Sequence, residues 1–226
     1  MPPIRSFKNN NMLLFDQALG PLGYKRLKRD VYRATWSTSI EHFIYVTNFG
    51  PQASRVAMTC GMRQLSAEKF SLHCLRTFGG HAYSAMRNNL SFDCMMQLPI
   101  GRLAGWGMHG SLTIGDFSPD QIVEKVRRDT GAFAIPHIQN IKLEADLYRE
   151  FTVRIDTWPI HSRNDAALAA QIAYLGFTIG MSKETIVQEL EKLSTDIERS
   201  LAGEMGLEDY INLLSDREFV LYGTVH

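Results

Sequence analysis

The chain has 226 residues, with 24 basic and 24 acidic side chains, 7 His, 3 Cys and 45% hydrophobic residues. This balance excludes long disorder, collagen-like repeats and a disulfide scaffold. The length suits one large domain or two small ones, able to bury roughly 70–75% of the unfolded surface without disulfides or metals.

The opening Met1-Pro2-Pro3-Ile4-Arg5-Ser6 lacks the charged-then-apolar pattern of a secretory leader. Leu13, Leu14, Ala18 and Leu22 recur near the helical period, so a helix is expected over 10–22, ended by Gly20, Pro21 and Gly23. Three strand-like runs follow: Val31–Trp36, Ile40–Phe49 and Arg55–Arg63. Their close spacing predicts an antiparallel meander. In the third run Val56, Met58, Cys60 and Met62 alternate with small residues, which makes Cys60 a core thiol.

Ser66 is a candidate cap for a helix through about Thr77, with Phe70 and Cys74 one turn apart. Residues 79–89 read as a loop, Leu90–Ile100 as a strand broken by Pro99, and Leu112–Ile114 as a short strand. Ser118-Pro119-Asp120-Gln121 has the spacing of a capping box with proline at the first helical position. That helix is expected to end at Gly131 and Pro136. Leu143, Leu147 and Phe151 mark another helix, although Phe151, Val153 and Ile155 also alternate as in a strand.

Asn164 caps a further helix through Leu175. This helix lies in the longest uncharged stretch, the 17 residues between Asp165 and Lys183. That is shorter than the ~20 apolar residues of a membrane span and is interrupted by Gln171, so it reads as a buried helix. Ile186, Leu190, Leu193, Ile197 and Leu201 form the apolar stripe of a helix over 183–201 capped by Ser182, and Leu207–Leu214 suggests one more. The order gives an α+β fold: an N-terminal helix and antiparallel sheet over 1–160, and a C-terminal helical extension over 161–226 that packs on it or merges with it.

The zero net charge conceals a split. Residues 1–115 hold 13 basic against 5 acidic side chains, and residues 116–226 hold 11 against 19. The densest basic cluster is Lys25-Arg26-Leu27-Lys28-Arg29, flanked by Tyr24, Tyr32 and Trp36. Basic residues among aromatics suit phosphate and base stacking, but the cluster lacks the pattern of an RNA-recognition motif. A charged turn beside an edge strand explains it as well, so nucleic acid is not the expected partner.

Gly105-Trp106-Gly107-Met108-His109-Gly110 matches GxGxxG in letters. A dinucleotide site needs a helix opening at its last glycine, whereas Ser111–Ile114 is strand-like, so the glycines read as an inter-strand loop. His73, Cys74, His81 and Cys94 lack structural-zinc spacing, and neither a metal nor another cofactor is expected. Cys94 beside Met95 and Met96 reads as a core thiol, not a nucleophile. Asp146 and Glu150 are four apart on a helix and read as a solvated face. No catalytic residue is assigned.

The segment Phe15-Asp16-Gln17-Ala18-Leu19-Gly20-Pro21-Leu22-Gly23-Tyr24-Lys25-Arg26 resembles the opening of a bacterial family, domain of unknown function 4304. The following strands, Arg102-Leu103, Trp106, the helix start at Ser118 and Ile135-Pro136 fit that family's order over most of 10–150. The long 64–89 segment and the Gly105–Gly110 loop depart from it. The resemblance implies a binding role akin to small immunity proteins of bacterial toxin systems, and it supplies no catalytic residue to transfer.

The expected function is therefore a cytoplasmic protein-interaction module without catalysis, free of membrane and of undetermined oligomeric state. Trp36, Arg102, Trp106 and His109 are its candidate anchors, because aromatic and Arg side chains dominate interface energetics. The alternative is a small-ligand protein or enzyme using the 101–110 loop.

Overall fold

A computed structural model of the chain describes residues 4–28, 30–34, 36, 40–50, 54–78, 96–153, 160–161 and 165–192. The fold is α+β, with an antiparallel sheet and several helices. It comprises two compact units, Met1–Met62 with Gln97–Ile141, and Arg63–Met96 with Lys142–His226.

In the first unit, helix α1 (Ile4–Leu19) continues into a tight turn, Gly20–Leu22. Gly23 closes this turn at φ 84°, a left-handed conformation in which glycine is favoured. Strands β1 (Tyr24–Lys28), β2 (Val31–Ala34), β3 (Glu41–Phe49), β4 (Arg55–Arg63) and β5 (Met96–Pro99) then lie in that order across the sheet. Strand β6 (Ser111–Thr113) pairs antiparallel with β4. Lys25 to Lys28 of the basic cluster expected to be a turn thus lie in a strand at the end of the described order, which pairs with β2 from Tyr24↔Ala34 to Lys28↔Val31. A pattern-based reading misses it because only Tyr24 is buried and no apolar alternation survives.

The central strands carry the core. Five consecutive residues of β3, His42 to Val46, are buried, so both faces of this strand are covered. On β4 the expected alternation holds as far as Cys60, with Val56, Met58, Cys60 and Met62 buried, and Gly61 is buried with them. Helix α1 packs Met12, Phe15, Ala18 and Leu19 inward. It is tied to the hairpin by Asp16, which accepts a hydrogen bond from the Tyr32 hydroxyl at 2.9 Å and pairs with Arg26 at 3.0 Å.

Two helices follow, the short α3 (Ile100–Leu103) and, after a 3-10 turn at Ile114–Asp116, the longer α4 (Pro119–Phe133). The capping box expected at Ser118 is formed. The Gln121 N–H donates to Ser118 Oγ, and the Ser118 N–H donates to Gln121 Oε1. Helix α4 runs through Gly131, contrary to the sequence expectation, and hands over directly to α5 (Ile135–Ile138), where Pro136 occupies the first turn. Proline is tolerated there because the first-turn N–H has no intrahelical partner. Helix α4 packs on α1, and Arg127 Nη2 donates to the Gln17 carbonyl at 3.1 Å.

The second unit is helical. Helix α2 (Leu65–Phe78) starts one residue before the expected cap, and Gln64 Oε1 accepts the Ala67 N–H in place of a Ser66 cap. Helices α6 (Glu144–Val153), α7 (Asp165–Thr178) and α8 (Lys183–Lys192) follow, with the short strand β7 (Ile160–His161) between α6 and α7. Helix α7 is buried from Leu168 to Ala173 and packs against α2, α6 and α8. Its uniform hydrophobicity is that of a central core helix. Gln171, the polar interruption, donates to the Ser71 hydroxyl. Gly176 lets α8 approach, since a Cβ there would lie 2.9 Å from Ile186 Cγ1. Among the described residues no helix is long and apolar enough to cross a membrane. The strand alternative at Phe151–Ile155 yields to helix through Val153. The expectations for 79–95, for Asn164, and for helices beyond Lys192 lie outside the described residues.

Ser118→Ala removes one side of the capping box and is expected to lower stability by about 1 kcal/mol, measured by urea denaturation.

Candidate functional site

The Gly-rich loop is built around Trp106. Its backbone N–H donates to the Gly101 carbonyl at 2.8 Å, and its side chain is 5% exposed. The indole Nε1 donates to Asp129 Oδ2 on α4 at 2.6 Å. Lys125 Nζ lies 3.2 Å from the same oxygen and 5.9 Å from the indole centroid. Arg128 reaches Asp129 Oδ1 with Nε at 2.9 Å and Nη2 at 2.8 Å. Burial would raise the Asp129 carboxyl, but the donors from Trp106, Arg128 and Lys125 outweigh it and hold the group below the usual carboxylate range.

The glycine spacing has a steric cause. A Cβ on Gly101 would collide with the Gly110 carbonyl and stand 2.8 Å from the Trp106 ring. Gly110 has φ 70°, and a Cβ there would sit 2.7 Å from the Arg102 backbone nitrogen. The two ends of the loop therefore cross backbone to backbone. Of the three GxGxxG glycines only Gly110 takes part in that crossing, Gly105 has φ 65°, and the motif is not a phosphate cradle, because strand β6 and no helix follows Gly110.

Of the four candidate anchors, Arg102, Trp106 and His109 share this loop, and Trp36 stands apart from them. Trp106 faces the interior. Arg102 and His109 are exposed, and His109 is held at φ 60°, an uncommon conformation for a residue with a side chain. Trp36 is half-buried, edge-on to Tyr24 with centroids 4.9 Å apart and tilted against His42 at 5.9 Å.

His42 and Cys60 are reactive residue types placed in the core. His42 Nε2 lies 3.0 Å from the Ile141 carbonyl, which makes Nε2 the protonated nitrogen and leaves Nδ1 an acceptor without a partner among the described residues. Burial pushes this imidazole down to about 4, against the opposing effect of the Ile141 carbonyl. Burial pushes the Cys60 thiol up to about 12, so it is the inert thiol expected from the strand pattern. Among the described residues no group of three or more His, Cys, Asp or Glu is placed to hold a metal ion. Asp146 accepts the N–H groups of Lys142 and Leu143 at 3.1 Å each and pairs with Arg149, whereas Glu150 is buried. These two carboxylates therefore do not form the shared solvated face expected from their spacing.

The surface feature that sequence reasoning undervalued is β1. Lys25, Arg26, Leu27 and Lys28 are all exposed, and Leu27 is 50% accessible. Lys25 stands opposite Arg33 in the ladder, a like-charge pair relieved by the Arg33–Glu41 bridge at 3.1 Å. Arg26 is paired with Asp16, but Lys25 and Lys28 have no ion partner among the described residues. The charge turning point near 115 falls inside the first unit. The first unit holds 12 basic against 7 acidic side chains, and the second 12 against 17. The asymmetry survives folding but is smaller than the sequence halves suggest.

Comparisons with protein-family models, curated proteins and solved structures give no match.

Asp129→Ala strands the Trp106 N–H in the interior and is expected to cost about 2 kcal/mol in urea denaturation, with Asp129→Asn costing less because an acceptor oxygen remains. The His42 imidazole takes up a proton near pH 6.5 when unfolded but only near 4 when folded. Its contribution is therefore complete above about pH 6.5 and is lost as pH falls toward about 4, by at most about 3 kcal/mol. The difference between wild type and His42→Gln in urea denaturation over that interval measures it, since Gln can still donate to Ile141.

Proposed function

We propose that the chain is a protein-interaction module without catalysis, and that the basic surface of its first unit binds an acidic protein partner. The observation that carries this reading is β1, where Lys25 and Lys28 are exposed beside an exposed Leu27 and lack ion partners among the described residues. Charges of one sign on an accessible patch accelerate and select association with a partner of opposite sign. The interior placement of Trp106, His42 and Cys60 favours binding over reaction. The helix, turn and hairpin opening, with its resemblance to immunity-like bacterial proteins, points the same way. A reduced, buried Cys60 suits a cytoplasmic setting.

Cross-linking in the native host followed by mass spectrometry tests the reading. A stoichiometric acidic protein is expected, and its association should slow several-fold between low and high salt. Lys25→Glu combined with Lys28→Glu should weaken that complex at least about ten-fold without lowering the thermal midpoint, a change of about 1.4 kcal/mol in binding. Capture of nucleic acid instead of protein, or indifference to the charge reversal, refutes it.

A further inference from the structure

The basic patch is also an unfinished sheet edge. Strand β1 closes one end of the sheet order and pairs only with β2 among the described strands. In an antiparallel ladder, alternate residues turn their N–H and C=O groups away from the partner. Those of β1 therefore face outward along a strand whose side chains from Lys25 to Lys28 are exposed. The register steps between Arg26 and Lys28, which makes Leu27 the extra residue of a bulge.

From this placement we propose that the outer edge of β1 takes an acidic, extended segment of another protein as an added strand. The proposal rests on the interaction reading above and specifies its geometry. Backbone pairing along the edge supplies affinity, and the side chains select the occupant. A second copy of β1 would bring Lys25, Arg26 and Lys28 against their own kind, so the edge rejects itself. A strand bearing carboxylates meets complementary charge at Lys25 and Lys28. The basic residues and the bulge thus act as a filter on what pairs, in addition to blunting the edge.

The test uses the full chain and a fluorescent heptapeptide alternating Glu and Val, followed by anisotropy. Three companion probes are a peptide with Lys in place of Glu, and two acidic peptides N-methylated at odd or at even positions. The acidic peptide is expected to bind at least ten-fold tighter than the Lys peptide, and Lys25→Glu with Lys28→Glu should reverse that order. One N-methylated peptide should lose at least ten-fold and the other little, because only alternate N–H groups face β1. Circular dichroism checks that the variant remains folded. If both N-methylated peptides bind like the parent, strand addition is overturned while the basic interaction surface stands. If charge makes no difference, both readings fall. A single-stranded oligonucleotide that displaces the acidic peptide more effectively than unlabelled peptide also overturns the proposal.

Discussion

One buried carboxylate ties the Gly-rich loop of the first unit to a helix. Asp129 sits on α4 and is 2% exposed, yet it stays ionised because an indole N–H, a guanidinium and an ammonium converge on its two oxygens. A buried charge is tolerated only when its lone pairs are satisfied in this way. The arrangement fixes the Gly101–Gly110 crossing to α4, and α4 in turn packs on α1, which anchors the β1–β2 hairpin through Asp16. A chain of polar contacts therefore links the loop to the sheet edge, laid over an apolar core that alone would not specify these orientations.

This linkage explains why the chemically conspicuous residues are structural. Trp106, His42 and Cys60 contribute area and hydrogen bonds to the interior, where burial shifts His42 and Cys60 away from reactivity at neutral pH. Exposed cations of the first unit differ in whether a carboxylate reaches them. Arg26, Arg33 and Arg128 are each paired, whereas Lys25 and Lys28 on β1 face water. Surface pairs of this kind add little stability. Their consequence is the local field along an edge strand.

The readings that succeeded rested on local physics. The alternation on β4, the Ser118 capping box and the burial of α7 each depend on a periodic or short-range pattern, which the fold has no reason to override. The readings that failed had more than one cause. Strand β1 has no apolar rhythm and exists because β2 offers its edge. Gly131 remains helical because the surrounding helix tolerates the loss. Glu150 is buried although its spacing from Asp146 suggested solvent.

By itself the sequence determined the α+β class, the principal helices and strands of the described residues, and the excess of positive charge toward the N-terminal half. It also excluded a zinc motif and a dinucleotide fingerprint in their usual contexts. Only the tertiary structure decided that Trp106 turns inward to Asp129, 23 residues away, and that the basic cluster is an accessible strand edge. The reason is that period and propensity act within a few residues. Burial, ion pairing and strand neighbourhood are set by segments that meet only after the chain has folded.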